Sequence, residues 1–388
     1  MQRHRNAQQC GKILLLISED WFALSHFKPL IATLREFADE VVIATRSSGR
    51  FDELIALGAR VVPFDFRRSS LSPLQQAGTV RSLARFIAQE RPNVVHVVAM
   101  QPMVLSALAL RLAPRCRVVM HLTGLGFLGI SDGMAARVIR PVAFTALGGI
   151  LRRPDTWLLA ENPDDRAYLT DNGIKIGTRS TLLGGAGIDV EAYPAQPPPA
   201  SIIASTAFVG RIIRSKGLEV LAEAARILRG NGTDMTLKLY GKIDHDNPDA
   251  ISDAQVQQWQ REGLLAWHGH VSDVRDVWAA TDICVLPAIT REGMPRAVLE
   301  AAASARPLIV TDVPGCRHFV RDGVEGYVIP AGDPSALATA LARLAHDPDL
   351  RIKMGNAARE RVLSGFTLEH VQDGIRSAYS ALLTQHNA

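Results

Sequence analysis

Apolar residues along this chain come in short blocks, each bounded by polar or Gly/Pro-containing stretches. In the first half the blocks are Ile13–Ile17, Glu40–Ala44, Arg60–Pro63, Val94–Val98, Arg117–His121 and Trp157–Ala160. Between them lie segments of helical period, among them Leu74–Gln89 and Met134–Leu151. Blocks without alternation, interleaved with amphipathic helices, predict a parallel sheet covered on both faces. The stretch Ala192–Ala200 then breaks the pattern. Four prolines in nine residues cannot continue a helix or a central strand. The alternation restarts with Ile202–Val209, Met235–Tyr240, Leu264–His268, Ile283–Leu286, Leu308–Thr311 and Gly326–Ile329. The expectation is an α/β protein with two doubly wound domains, residues 1–192 and 201–388, facing across a cleft. Residues 193–200 would be a proline-rich hinge, and the last helix would pack back on the first domain. Ligands of such sheets bind beyond the carboxyl ends of the strands.

Composition adds limits. A chain of 388 residues with 47% hydrophobic and 21% charged content can bury two cores. The net charge of +4 does not advertise nucleic acid, so no nucleic-acid partner is expected. The charge is uneven: residues 1–195 hold 23 Lys and Arg against 17 Asp and Glu. A basic first half suits anionic lipid or a phosphate-bearing ligand, or is simply a solvated face. Cys10, Cys116, Cys284 and Cys316 are far apart and form no CxxC pair, which fits a reducing cytosol. Ile13–Ile17 is too short for a signal sequence, and Val94–Ala113 is interrupted by His96, Pro102 and Arg111. A cytoplasmic protein, soluble or peripheral at a membrane, is expected.

Candidate chemistry concentrates in the second half. Arg291–Glu300 sets Glu292 and Glu300 eight residues apart. A helix beginning near Gly293 would return Glu300 to the azimuth of its own start. Both carboxylates could then flank phosphate-seeking backbone amides, an arrangement suited to a nucleotide-sugar or to nothing more than a capped surface helix. Gly210 ends a strand, and Arg211, Arg214 and Lys216 follow it before a helix from about Leu218. These cations can clamp a diphosphate, or stand as exposed loop charges. This loop carries neither GxGxxG nor GxxxxGK[ST]. In the first half, polar candidates are His26 after the first strand and His121, Thr123, Gly124 and Gly126 at the end of the fifth. Arg137, Arg140, Arg152 and Arg153 bracket the apolar helix Met134–Leu151, as at a membrane surface or at the ends of an ordinary core helix.

Five segments carry a resemblance: Val209–Gly217, Trp267–Asp273, Thr281–Pro287, Arg291–Glu300 and Asp312–Arg317. With them the chain resembles the retaining, nucleotide-sugar-dependent glycosyltransferases of family 4, which have the GT-B fold of two Rossmann-like domains. Glu19–His26, Leu122–Gly126 and Glu161–Arg166 resemble a bacterial subgroup acting on lipid-linked oligosaccharide or O-antigen precursors. The resemblance implies that residues 1–192 face the acceptor and 201–388 bind the donor. It implies that Arg211 and Lys216 hold the donor diphosphate, Glu300 meets the ribose, and Glu292 meets the donor sugar. Gly210, Gly293 and Met294 would line the phosphate, and His26, Thr123 and Gly124 would belong to the acceptor or sugar side. Many members of the family carry His-Gly where this chain has Thr123-Gly124, so the role of that His does not transfer to His121. The implied reaction moves a hexosyl or N-acetylhexosaminyl group from a UDP-sugar to a polyprenyl-diphosphate-linked saccharide. An anionic membrane surface is a further expected partner. No Asp-x-Asp motif sits at a strand end, so neither metal nor other cofactor is expected. Two other readings remain open: a UDP-N-acetylhexosamine 2-epimerase, and a non-catalytic sugar-nucleotide-binding protein.

Overall fold

Each apolar block carries a strand. The computed structural model describes residues 9–66, 72–126, 129, 134–199, 201, 203–245, 247 and 249–384. The chain divides into one unit of residues 1–186 with 369–388, and a second of residues 187–368.

The first unit holds β1 (Cys10–Glu19), β2 (Ala38–Arg46), β3 (Arg60–Pro63), β4 (Val94–Val98), β5 (Arg117–Leu122), β6 (Thr156–Ala160) and β7 (Ser180–Leu182). Their order is β3-β2-β1-β4-β5-β6-β7 and every pairing is parallel. Successive β1 residues Ile13–Ile17 have no exposed surface, because their side chains enter cores on both faces. β7 was not anticipated: it is three residues long and begins Ser-Thr. The helix Leu368–Thr384 closes one face with Val371, Ile375, Ala378, Tyr379 and Leu382, spaced by three and four residues. Arg376 donates to both oxygens of Glu36 at its edge.

The second unit holds β8 (Ser205–Val209), β9 (Thr236–Tyr240), β10 (Ala266–Trp267), β11 (Ile283–Leu286), β12 (Leu308–Thr311) and β13 (Gly326–Ile329), ordered β10-β9-β8-β11-β12-β13 and again parallel. In both sheets the order reverses beside the first strand, at β1/β4 and at β8/β11. Such a reversal opens a crevice at the carboxyl ends.

The proline-rich stretch expected as a hinge lies within the second unit. Prolines lack an N–H but keep a carbonyl, and arginines of the second unit use it and its neighbours. Arg306 donates to the carbonyls of Pro197 and Trp278, Arg359 to those of Tyr193 and Ala303, and the Gln196 amide to Ser304 O. The chain passes between units at 186/187 and again at 368/369. The expected strand residue Ile202, the hinge residue Ala200, and Phe127, Leu128 and residues 130–133 of the loop after β5 lie outside the described residues.

Candidate functional site

The Arg291–Glu300 segment corrects the expectation about its helix. The helix spans Arg296–Ala303, with Pro295 as its N-cap at φ −66° and ψ 115°. Proline biases the residue before it out of the helical region, so Gly293 and Met294 stay in the loop. Glu300 therefore sits one turn into the helix rather than two. The first helical amides are those after Pro295, not those of Gly293 and Met294.

Glu292 remains in the loop after β11, where its amide donates to Pro314 O. Gly315 has φ +87°, and a Cβ there would stand 1.9 Å from Gly293 O, so only glycine allows this loop to seat. On the facing side, β8 ends at Val209, Gly210 follows, and a turn at Arg214–Lys216 ends in Gly217. Gly217 has φ +75°, and a Cβ there would meet Pro287 O at 1.8 Å. That approach brings Lys216 Nζ to 2.6 Å from Glu292 Oε1, with both side chains mostly buried. Two residues 76 positions apart are thus joined at the carboxyl ends of β8 and β11.

The other cations also have carboxylate partners. Arg211 pairs with Asp244 at 3.1 Å, and Arg214 pairs with Glu219. Asp244 belongs to Asp244-His245-Asp246, an Asp-x-Asp sequence four residues beyond β9; Asp246 lies outside the described residues. Among the described residues no group of three or more His, Cys, Asp or Glu converges on a metal position.

Glu300 is buried, and its Oε1 accepts from Arg296 Nε at 2.7 Å and from Tyr193 Oη at 3.1 Å. Burial pushes its carboxyl above the ordinary glutamate value, while the Arg296 charge and the donors of Arg296, Tyr193 and Trp278 oppose the rise. Sequence reasoning missed Tyr193 and Arg296. Arg296 stood inside the motif, but Tyr193 comes from the proline-rich stretch, 107 residues away.

In the first unit the candidates gather at the ends of β1 and β5. His26 closes the helix Asp20–His26, with Nδ1 at 2.7 Å from Ser25 Oγ and its ring against Phe22. Thr123 and Gly124 follow β5, with Gly124 at φ +138°. His121 is not at the surface. Its Nδ1 faces His96 Nε2 at 3.4 Å, and His96 Nδ1 is 2.8 Å from Tyr379 Oη. Burial drives the His121 pKa down to about 3 and that of His96 well below its ordinary value, so both are neutral at physiological pH. Asp20 went unread. Burial favours its neutral form, but donors from Ser48, Arg50 and Trp21 more than offset this and hold its pKa down. It clamps the loop after β2 and leaves the Trp21 ring partly exposed. Of the bracketing arginines, Arg153 is a structural residue, bound to Asp155 and to Cys116 O.

Comparison with known proteins agrees with this architecture. Residues 12–141 match the family described as "Glycosyl transferase 4-like", and residues 204–347 match "Glycosyl transferases group 1". The N,N'-diacetylbacillosaminyl-diphospho-undecaprenol alpha-1,3-N-acetylgalactosaminyltransferase of Campylobacter jejuni is 22% identical over 357 residues, covering 87% of this chain and 91% of that one. The capsular polysaccharide biosynthesis glycosyltransferase CapM of Staphylococcus aureus is 28% identical over 178 residues, 46% of either chain. Among solved structures, Anabaena Alr3699/HepE in complex with UDP and glucose superposes with a TM-score of 0.76 at 18% identity, covering 96% of this chain and all of that one. With both units matched by glycosyltransferase families and the whole chain following the fold of such enzymes, this protein is a glycosyltransferase of the GT-B fold and belongs to family 4.

Proposed function

We propose that the enzyme transfers a hexosyl or N-acetylhexosaminyl group from a UDP-sugar to a lipid-linked saccharide, with retention at the anomeric carbon, in surface-polysaccharide assembly. The contact between Lys216 and Glu292 carries the reading. It joins the diphosphate-seeking loop to the sugar-seeking loop at one point of the second unit's sheet. The relative from Campylobacter jejuni, named for a diphospho-undecaprenol acceptor, supports the acceptor class, and the HepE complex with UDP and glucose supports the donor class.

Charge accumulates on the leaving diphosphate as the glycosidic bond breaks. Lys216 and Arg211 are fixed cations near one strand end and would stabilise that charge without reorganising. Glu292 keeps Lys216 extended until phosphate oxygens compete for it, and its second oxygen is left for a sugar hydroxyl. Glu300 would take the ribose hydroxyls through Oε2, since Oε1 is occupied by Arg296 and Tyr193. Gly210, Gly293 and Met294 would shape the phosphate path. His26, Thr123 and Gly124 would stand on the acceptor side. The enzyme would work in the cytoplasm, at the inner face of the membrane that holds its acceptor. The test is UDP release from a panel of UDP-sugars with and without a bacterial membrane extract. Acceptor-dependent release is expected with one donor; no release from any donor would refute the reading.

A further inference from the structure

A carboxylate has two equivalent oxygens and about four acceptor positions, so a single donor leaves it free to exchange one oxygen for the other. Glu300 does not have that freedom. Arg296 Nε reaches Oε1 at 2.7 Å from the same helix, one turn earlier. Tyr193 Oη reaches the same atom at 3.1 Å from the proline-rich stretch outside the helix. Donors that arrive on Oε1 from two elements decide which oxygen is spent on the protein and which is left for a ligand.

Tyr193 is itself built in. The Asp189 carboxylate accepts from the amides of Glu191 and Ala192 at 3.1 and 3.2 Å, and the Tyr193 amide donates to Asp189 O. Arg359 donates to Tyr193 O at 2.8 Å and to the carbonyl of Ala303, the last residue of the helix that carries Glu300. The ring packs in the core of the second unit. A phenyl ring would serve that core as well as a phenol, so the hydroxyl has another use. Burial and the Glu300 charge push the phenol pKa up, so Tyr193 keeps its proton and is the donor.

The other groups around the carboxylate differ in kind. Arg296 stands on the same helix, the Trp278 indole comes from the helix Val274–Ala279, and the Cys284 thiol from β11. Burial and the Glu300 charge push the Cys284 thiol up, so it is neutral at physiological pH. Arg275, near the phenol, is exposed and paired with Asp273. Removing the Tyr193 hydroxyl deletes one donor and changes no charge.

We propose that Tyr193 is a positioning residue for the donor: its hydroxyl fixes Glu300 with Oε2 turned to the ribose hydroxyls. The proposal deepens the reading of Glu300 as the ribose-binding carboxylate and rests on it. Preference for a ribose with both hydroxyls then depends on a residue 107 positions from the carboxylate, acting through Glu300.

Tyr193→Phe in the full-length protein keeps the ring and removes the donor. By calorimetry at pH 7.5 it should weaken UDP binding about tenfold, the order of one hydrogen bond to a charged group. The ratio to the parent should grow at pH 6, because Glu300 without that donor takes up its proton at higher pH. The titration of UDP itself is common to both proteins and cancels in the ratio. 2′,3′-Dideoxyuridine diphosphate offers Glu300 no hydroxyl and should bind parent and variant alike. Added to Glu300→Gln, Tyr193→Phe should change UDP affinity by no more than about twofold, since the group it acts through is already altered. A cooperative thermal transition reports that each variant is folded. UDP affinity unchanged in Tyr193→Phe would overturn the proposal. Equal losses for UDP and the dideoxy analogue would also overturn it, as would a full further loss on top of Glu300→Gln, because the hydroxyl would then support the unit and not the carboxylate. A parent protein that binds UDP no better than the dideoxy analogue would refute the ribose role of Glu300 itself, and the proposal with it.

Discussion

Lys216 and Glu292 touch, so neither can be altered without disturbing the other. Lys216→Ala should lower kcat/KM for transfer by about 2–4 kcal/mol, the range for losing one preorganised charge partner. Glu292→Gln should mainly lower kcat. Because the pair is in direct contact, the double variant should lose at least about 1 kcal/mol less than the sum of the singles. Strict additivity in UDP-release kinetics would show that the contact is not part of the working site. Glu300 behaves differently. Its raised pKa means the charged form is lost at a higher pH than for an ordinary glutamate. Donor affinity should therefore fall as pH is lowered through that raised value, and Glu300→Gln should have weaker donor binding with the acid limb removed. An unchanged acid limb in the variant would assign it to another group. The two carboxylates were legible in the sequence because their spacing lies within one segment. The contact with Lys216 was not, since it depends on how two glycine turns seat against distant carbonyls. Tyr193 was hidden for a related reason: prolines read as a break in structure, while their carbonyls serve the core.

At the level of strands and helices, the parallel order made the chain readable. Strands buried on both faces leave unbroken apolar blocks, and those blocks coincide with all but one strand. β7 escaped because it is an edge strand of three residues, too short and too polar to leave a block. The role of the histidines also escaped, because periodicity says nothing about what a buried imidazole meets. His96 on β4 and His121 on β5 link the sheet to Tyr379 on the C-terminal helix. The Tyr379 hydroxyl hydrogen-bonds His96 Nδ1, and His96 Nε2 in turn faces His121 Nδ1. Tyr379→Phe should leave His96 Nδ1 unpaired and cost about 1–3 kcal/mol in urea unfolding. The pair also sets an acid limit. Below pH 6.5 an unfolded histidine takes up a proton, while folded His121 stays neutral down to about 3. The unfolded state then binds more protons, so stability is lost as pH falls through that window, by up to about 1.4 kcal/mol per pH unit for each histidine. His121→Gln should show a shallower loss between pH 6.5 and 4 than the parent. Identical slopes would mean that carboxylates alone set the acid sensitivity.

For the whole molecule, the path of the chain decides which part stands alone. The second unit is continuous, residues 187–368, and contains Arg211, Lys216, Glu292, Glu300 and Tyr193. The first unit is split, with residues 369–388 returning to it after the second has been completed. Without the returning helix, residues 1–186 would expose the face that buries Val371, Ile375, Ala378, Tyr379 and Leu382. At about 1.5–3 kcal/mol for each of the four large side chains, the loss is on the order of 6–12 kcal/mol as an upper estimate. That is comparable to the whole stability of an ordinary domain. A fragment of residues 187–368 should therefore fold, unfold cooperatively, and retain UDP binding within about tenfold of the full chain. A fragment of residues 1–186 should be insoluble or molten until a peptide of residues 368–384 is added. Circular dichroism and calorimetry with UDP read both outcomes. A soluble, cooperatively folded 1–186 fragment would show the helix to be dispensable. Loss of UDP binding by a well-folded 187–368 fragment would show that the nucleotide site needs residues outside the second unit.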